Sequence, residues 1–326
     1  MTFKKQASLS FLLLLICGTH PLIGSAALPI STALAACTVN AASPAAITGN
    51  APQVDGAVGT DCATAPDNQM VTFYKVALCT AKPAAPTSAT AADLSSCTTF
   101  MSSPGGAPVS ISLNATAPFA ADSITSPPTG TYTYAYAEVD AHFGIQKTAL
   151  FAAQMYDTQP SPGNGRGIYC WSLATTGGAT FYNYTAANNF LSGATRCDAT
   201  PGTAGVTYTA INSFDGNSFV NGVTFVNAQA NHAIDGYLVD VNSNLVVSGT
   251  RDSMGSVTKI AAIMPINITV TSATTELQLM YNNSLGATIS RAWSYCLLCT
   301  PRTPSGLPAV MIFKPSSFDM NIAEVH

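Results

Sequence analysis

The chain runs to 326 residues, 47% of them hydrophobic and only 9% charged, with a formal net charge of −4. So much apolar surface excludes a disordered chain, and with no basic cluster to neutralise phosphates, nucleic acid is excluded as a partner. The length left after an export signal suffices for one large β-domain or two smaller ones.

In chain order, residues 1–36 read as a signal peptide. Lys4 and Lys5 precede an apolar run from Leu9 to Cys17, and small residues follow at "ALAAC". The run is about half the roughly 20 residues that a spanning helix takes, so no transmembrane segment is expected. The protein is therefore expected outside the cell or on its surface. Ala33, Leu34 and Ala35 suit an ordinary signal peptidase; Leu34 to Cys37 also reads as a lipobox, which makes a lipid anchor at Cys37 the alternative. Once Lys4 and Lys5 are removed, the 12 basic residues fall to ten against 16 acidic ones. A surface so poor in charge is weakly defended against self-association.

Residues 37–67 are rich in Ala, Pro, Gly and Thr and read as an extended N-terminal arm. "MVTFYKVALC", Met70 to Cys79, is β-branched and aromatic throughout and predicts a strand buried on both faces. A loop-like stretch from Thr80 to Ser96 follows, and then "PVSISL" predicts a short alternating strand. After the Pro127-Pro128-Thr129-Gly130 turn, "GTYTYAYAEVD" predicts a strand with Tyr132, Tyr134 and Tyr136 on one face and small residues on the other. The small face suits close packing on a second sheet, so the tyrosines are expected to point outward as an interaction surface. "FVNGVTF" and "GYLVDVNSNLVVSG" predict hairpins turning at Asn221-Gly222 and at Asn242 to Asn244. Ile266, Ile268 and Val270, then Leu277 and Leu279, then Phe318, Met320 and Ile322 carry the alternation to the C-terminus.

These strands make the fold all-β, a disulfide-tied β-sandwich. Cys17 leaves with the signal, and an even number of cysteines in an exported chain suits bridges between nearest neighbours: Cys37 with Cys62, Cys79 with Cys97, Cys170 with Cys197, and Cys296 with Cys299. The succession "VTFYKVALC", "VSISL", "PPTGTYTYAYAEV", "ITVTSATTELQLMY" and "LPAVMIFKP" resembles exported bacterial β-sandwich domains of the prealbumin-like and immunoglobulin-like kind. That resemblance implies a sandwich core built from residues 68–150 and 255–326, with residues 151–254 as a β-rich insertion or second lobe. It also implies a place on the cell surface, and it carries no functional residue across.

Patterns that carry chemistry are thin. "SVTK", Ser256 to Lys259, has the Ser-x-x-Lys spacing of some serine hydrolases, but β-branched Val257 and Thr258 argue against the helical turn that the spacing needs. Glu138 and Asp140 share a strand face, whereas glycoside-cleaving acids come from different strands, so a water-facing strand end is the plainer reading. Asp140 with His142, and His232 with Asp235, offer too few ligands for a metal. "DVNSN", Asp240 to Asn244, opens like an EF-hand loop. Leu245 and Arg251 then stand where the turn glycine and the bidentate acid belong, so a polar hairpin turn is expected. Cys296 and Cys299 have redox-motif spacing without a thioredoxin-like pattern around them. No catalytic residue, metal or cofactor is assigned.

The expectation is a secreted, non-enzymatic structural subunit of an extracellular filament, fimbria-like fibre or surface matrix. It would assemble with itself through sheet-edge, donor-strand-like contacts, with Thr38 to Gln53 as the donor. The alternative is a glycan-binding surface module that stacks sugars on the tyrosines or on Trp171. A secreted hydrolase using Glu138 and Glu276 stands third.

Overall fold

The computed structural model describes residues 36–41, 46–47, 62–112, 121–157, 166–174, 195–210, 223–226, 233–246, 257–274, 276–282, 286–293, 309–315 and 319–325. Every regular element among them is a strand. The strands are β1 (Cys62–Thr64), β2 (Asn68–Cys79), β3 (Cys97–Ser112), β4 (Ser123–Ile124), β5 (Gly130–Asp140), β6 (His142–Gln146), β7 (Thr148–Tyr156), β8 (Arg166–Ser172), β9 (Thr195–Asp198), β10 (Thr207–Ala210), β11 (Val223–Val226), β12 (Ala233–Val239), β13 (Lys259–Val270), β14 (Glu276–Asn282), β15 (Ala287–Trp293), β16 (Ala309–Pro315) and β17 (Asp319–Val325). No helix long and apolar enough to cross a membrane occurs among the described residues.

A nine-stranded antiparallel sheet runs β10-β6-β2-β5-β13-β12-β11, with β3 beside β2 and β4 beside β3. A six-stranded sheet runs β1-β15-β16-β7-β8-β9, and β14 pairs with β17. The fold is all-β and sandwich-like. Its largest core lies on the inner face of the nine-stranded sheet, where Phe73, Leu78, Ala135, Ala137, Val139 and Met264 meet Leu277, Leu279 and Ile322 of the β14-β17 pair. The small face of the β5 strand thus packs closely against a second layer, as its alanines predict. A separate cluster joins Ile145 of β6 to Phe151, Ile289 and Phe313 of the six-stranded sheet.

The described residues of 151–254, the interval expected as a β-rich insertion or second lobe, pair with strands of both sheets. Within that interval β8 and β9 extend the six-stranded sheet, β10 pairs with β6, and β12 pairs with β13. Its alternating apolar residues need faces to cover, and the edges of the two sheets supply them.

Three of the expected disulfides are formed: Cys37 with Cys62, Cys79 with Cys97, and Cys170 with Cys197. Cys296 and Cys299 lie outside the described residues, as do Ser256, His232 and the Asn221-Gly222 turn. The bridge at Cys37 uses the same sulfur that a lipid would need, so this pairing and a lipid anchor exclude each other.

The described part of the N-terminal arm is held within its own chain, contrary to the free donor expected from its composition. Cys37 N donates to the Ala63 carbonyl at 2.8 Å, Ile47 N to the Leu150 carbonyl at 2.8 Å, and Ala152 N to the Ile47 carbonyl at 3.0 Å. Ile47 is buried in the cluster that contains Phe151. One apolar side chain and a short ladder dock the segment along β7, which among the described residues meets β16 at a single residue pair.

Candidate functional site

The tyrosine strand β5 occupies the middle of the nine-stranded sheet, and its three phenols do not share a face. On β13 the register with β5 shifts between Pro265 and Ile268, so Tyr134 lies opposite Pro265 while Tyr132 lies opposite Ile268. Two residues of β13 then oppose a single residue of β5, and such a bulge exchanges inward for outward positions. Tyr132 therefore joins Ala135 and Ala137 in the inner core, 3% exposed, and its hydroxyl donates to the Pro128 carbonyl at 2.8 Å.

Tyr134 and Tyr136 do face the outer side, but that side is covered. The Cys79–Cys97 bridge closes a strap across it, and Ala92, Leu94 and Cys97 pack with Tyr134, Tyr136 and Tyr237. Lys82 on the strap pairs with Asp235 of β12 at 2.7 Å, and Leu245 N donates to the Thr87 carbonyl at 2.8 Å. Tyr136 is 1% exposed. The outward tyrosine surface expected from the sequence is thus corrected on two counts: the bulge turns Tyr132 inward, and the strap covers Tyr136. Trp171 is buried as well, against Gly202, where an added Cβ would meet the indole ring.

Next to Tyr136 on the same outer face, β5 carries Glu138, and around it gathers the densest cluster of ionisable side chains among the described residues. Tyr136 Oη donates to Glu138 Oε1 at 2.8 Å, and Ser243 Oγ donates to Oε2 at 3.0 Å. The ammonium of Lys75, on β2, lies 3.7 Å from Oε1, and that of Lys259, on β13, lies 3.4 Å from Oε2. Lys259 also donates to the Val241 carbonyl at 3.1 Å and sits 5.0 Å from the centre of the Tyr74 ring, a cation–π contact. From Tyr74 the network continues to Asp140: Tyr74 Oη donates to Oδ2 at 2.7 Å, while His142 places its backbone N at 2.7 Å and its Nδ1 at 2.8 Å from Oδ1.

Local backbone irregularities deliver these groups. The β2–β5 register shifts between Phe73 and Lys75, with Tyr74 the extra residue, so Phe73 stays in the inner core while Lys75 comes opposite Glu138. Opposite the bulged Tyr74, β3 carries Gly106 at φ +84, where an added Cβ would lie 2.6 Å from Thr72 Cγ2 and 3.3 Å from the Tyr74 ring. Glycine is required there on both counts. Ser243 arrives in a tight turn between β12 and β13, itself at φ 65. Asp240 Oδ1 accepts the backbone N–H of Asn242 at 2.8 Å and of Asn244 at 2.9 Å, which fixes "DVNSN" as a polar turn with its acid engaged by the backbone.

Electrostatics follow from the packing. Burial alone would push the Glu138 carboxyl up, but the Tyr136 hydroxyl, the two ammoniums and the Ser243 hydroxyl outweigh it and hold the group below its ordinary range. Asp140 behaves alike: burial raises it, and the bonds from His142 and Tyr74 bring it below the usual value. The phenols respond in the opposite sense, since burial first and the adjacent carboxylate second push Tyr136 and Tyr74 well up. Glu138 and Asp140 are ionised at neutral pH, each satisfied by its own partners, and do not form a facing pair of acids.

Among the described residues no group of three or more His, Cys, Asp and Glu side chains is placed to hold a metal ion. Sequence reasoning singled out Glu138, Asp140 and His142 but missed Tyr74 and Lys75, and met Ser243 and Lys259 only in unrelated motifs. A signal was present: in a chain only 9% charged, Lys75 and Lys259 stand inside apolar strand runs, where a lysine needs a counter-charge. Comparison with protein-family models, with curated proteins and with solved structures gave no match.

Proposed function

We propose that the protein is an exported, non-enzymatic structural subunit of an extracellular filament, fimbria-like fibre or surface matrix, whose copies meet at sheet edges. The observation that carries this reading is the use made of Glu138 and Asp140. All four carboxylate oxygens accept from groups on β2, β5, β6, β13 and the β12–β13 turn, so the acids tie neighbouring strands together. A carboxylate held below its ordinary range and already engaged by donors is a poor proton carrier at neutral pH. Three disulfides fit an oxidising exterior, and the low charge leaves little repulsion between copies. The glycan-binding alternative is the weaker reading, because Tyr132, Tyr136 and Trp171 are buried and Tyr134 is half-buried.

The test is the exported protein itself, purified and concentrated. Assemblies seen by electron microscopy and light scattering are expected, with polysaccharide and ester substrates left intact. A strictly monomeric protein at high concentration removes the assembly reading. Saturable turnover abolished by Glu138→Gln would replace it with the hydrolase.

A further inference from the structure

We infer that the disulfides are made in the order in which the cysteines leave the export channel, by a disulfide-bearing thiol oxidase, and that no disulfide isomerase is needed. This rests on the export reading in the proposed function. The three described bridges join consecutive cysteines of the chain that follows the signal: Cys37 to Cys62, Cys79 to Cys97 and Cys170 to Cys197. Proximity alone does not select that set. Cys62 is nearer in sequence to Cys79 than to Cys37, which lies 25 residues away, and loop closure slightly favours the shorter span. A Cys62–Cys79 bridge would leave Cys37 and Cys97 without their partners. Emergence from the N-terminus removes this competition, because Cys37 and Cys62 are joined before Cys79 is available.

Burial sets the time of oxidation. Cys62, Cys79 and Cys170, one from each bridge, are 0% exposed, and thiol–disulfide exchange needs access to the reacting sulfurs. The bridges therefore form before the sheets close over them. Two of them hold local pairings, since Cys79 lies directly opposite Cys97 in the β2–β3 pair and Cys170 opposite Cys197 in the β8–β9 pair. Both registers can be fixed while later strands are still inside the cell. β1, by contrast, must wait for β15, and in that interval the bond to Cys37 keeps Cys62 from other partners.

In each step one cysteine thiolate attacks the oxidase disulfide and opens it to a mixed disulfide, and the second cysteine thiolate then displaces the oxidase sulfur. The chain loses two electrons to the oxidase. Both oxidase sulfurs leave reduced, and they carry away the two protons that the cysteines gave up.

The test is export of the full chain in bacterial strains that lack either the thiol oxidase or the disulfide isomerase of the export compartment, with thiols trapped at intervals and bridges mapped on non-reduced peptides. The yield of natively bridged protein is expected to fall about tenfold without the oxidase and to stay within about twofold without the isomerase. Cys37→Ala is expected to leave Cys62 free when Cys79 emerges, so that a Cys62–Cys79 bridge appears whether or not the variant then folds. Exported protein that needs the isomerase, that bridges equally well without the oxidase, or that lacks the Cys62–Cys79 bridge in the Cys37→Ala chain overturns this inference and leaves the export reading standing. A chain retained inside the cell with its cysteines reduced overturns both.

Discussion

β5 and β11 belong to one sheet and look alike as sequences: each is a short alternation of aromatic or β-branched residues that invites pairing. The sheet treats them differently. β5 lies at the centre with neighbours on both sides, its inner face packed on the core, its outer face under a disulfide-closed strap, and its acids locked to flanking strands. Among the described residues, β11 lies at the rim with a strand on one side. Stickiness read from a strand's side chains therefore says little about what it binds; position in the sheet decides whether the same chemistry becomes core or contact.

Four measurements would break or sharpen that contrast. The largest effect is expected from Glu138→Ala, which leaves the Lys75 and Lys259 ammoniums and the Tyr136 and Ser243 hydroxyls without their acceptor; stability measured by denaturant unfolding should fall by about 3–4 kcal/mol. A loss under about 1 kcal/mol would show that the centre of the sheet does not depend on this lock.

Opening the strap comes next. Replacing Cys79 and Cys97 together by Ala frees a segment with a sequence separation of 18, and should cost about 2–3 kcal/mol. Tyrosine nitration of the folded variant should rise at Tyr134 and Tyr136, and unchanged labelling would mean that the strap covers β5 without its bridge.

Acid should act more gently. Glu138 and Asp140 have folded-state values below their unfolded ones, so they contribute stability that is present above roughly pH 4 and lost as pH falls through the folded values. The denaturant midpoint should drop between pH 6 and pH 3, and Glu138→Gln should flatten that drop. A midpoint that rises with acid has the wrong sign for this lock.

At the rim the expected change is the smallest. Thr224→Lys should alter unfolding stability by no more than about 0.5 kcal/mol, since β11 pairs on one side only among the described residues. A loss of several kcal/mol would make β11 part of the core and remove the contrast with β5.

Much of the architecture could be read in advance because it depends on local periodicity. A continuous β-branched and aromatic run marked β2, two-residue alternation marked β5, β13 and β14, and the poor EF-hand match marked the turn at Asp240 to Asn244. The three described bridges join cysteines that are neighbours in sequence, the pairing that short loops favour.

What only the tertiary structure decided is which face each side chain meets. A single register shift on β13 sends Tyr132 inward and away from its apparent partners, and another on β2, against β5, brings Lys75 to Glu138. The strap that covers Tyr136 and the ladder that holds Ile47 join residues far apart in the chain. Alternation fixes where strands occur because it is a property of consecutive residues. Register, layering and edge position depend on pairings between distant segments, and a period of two is silent about them.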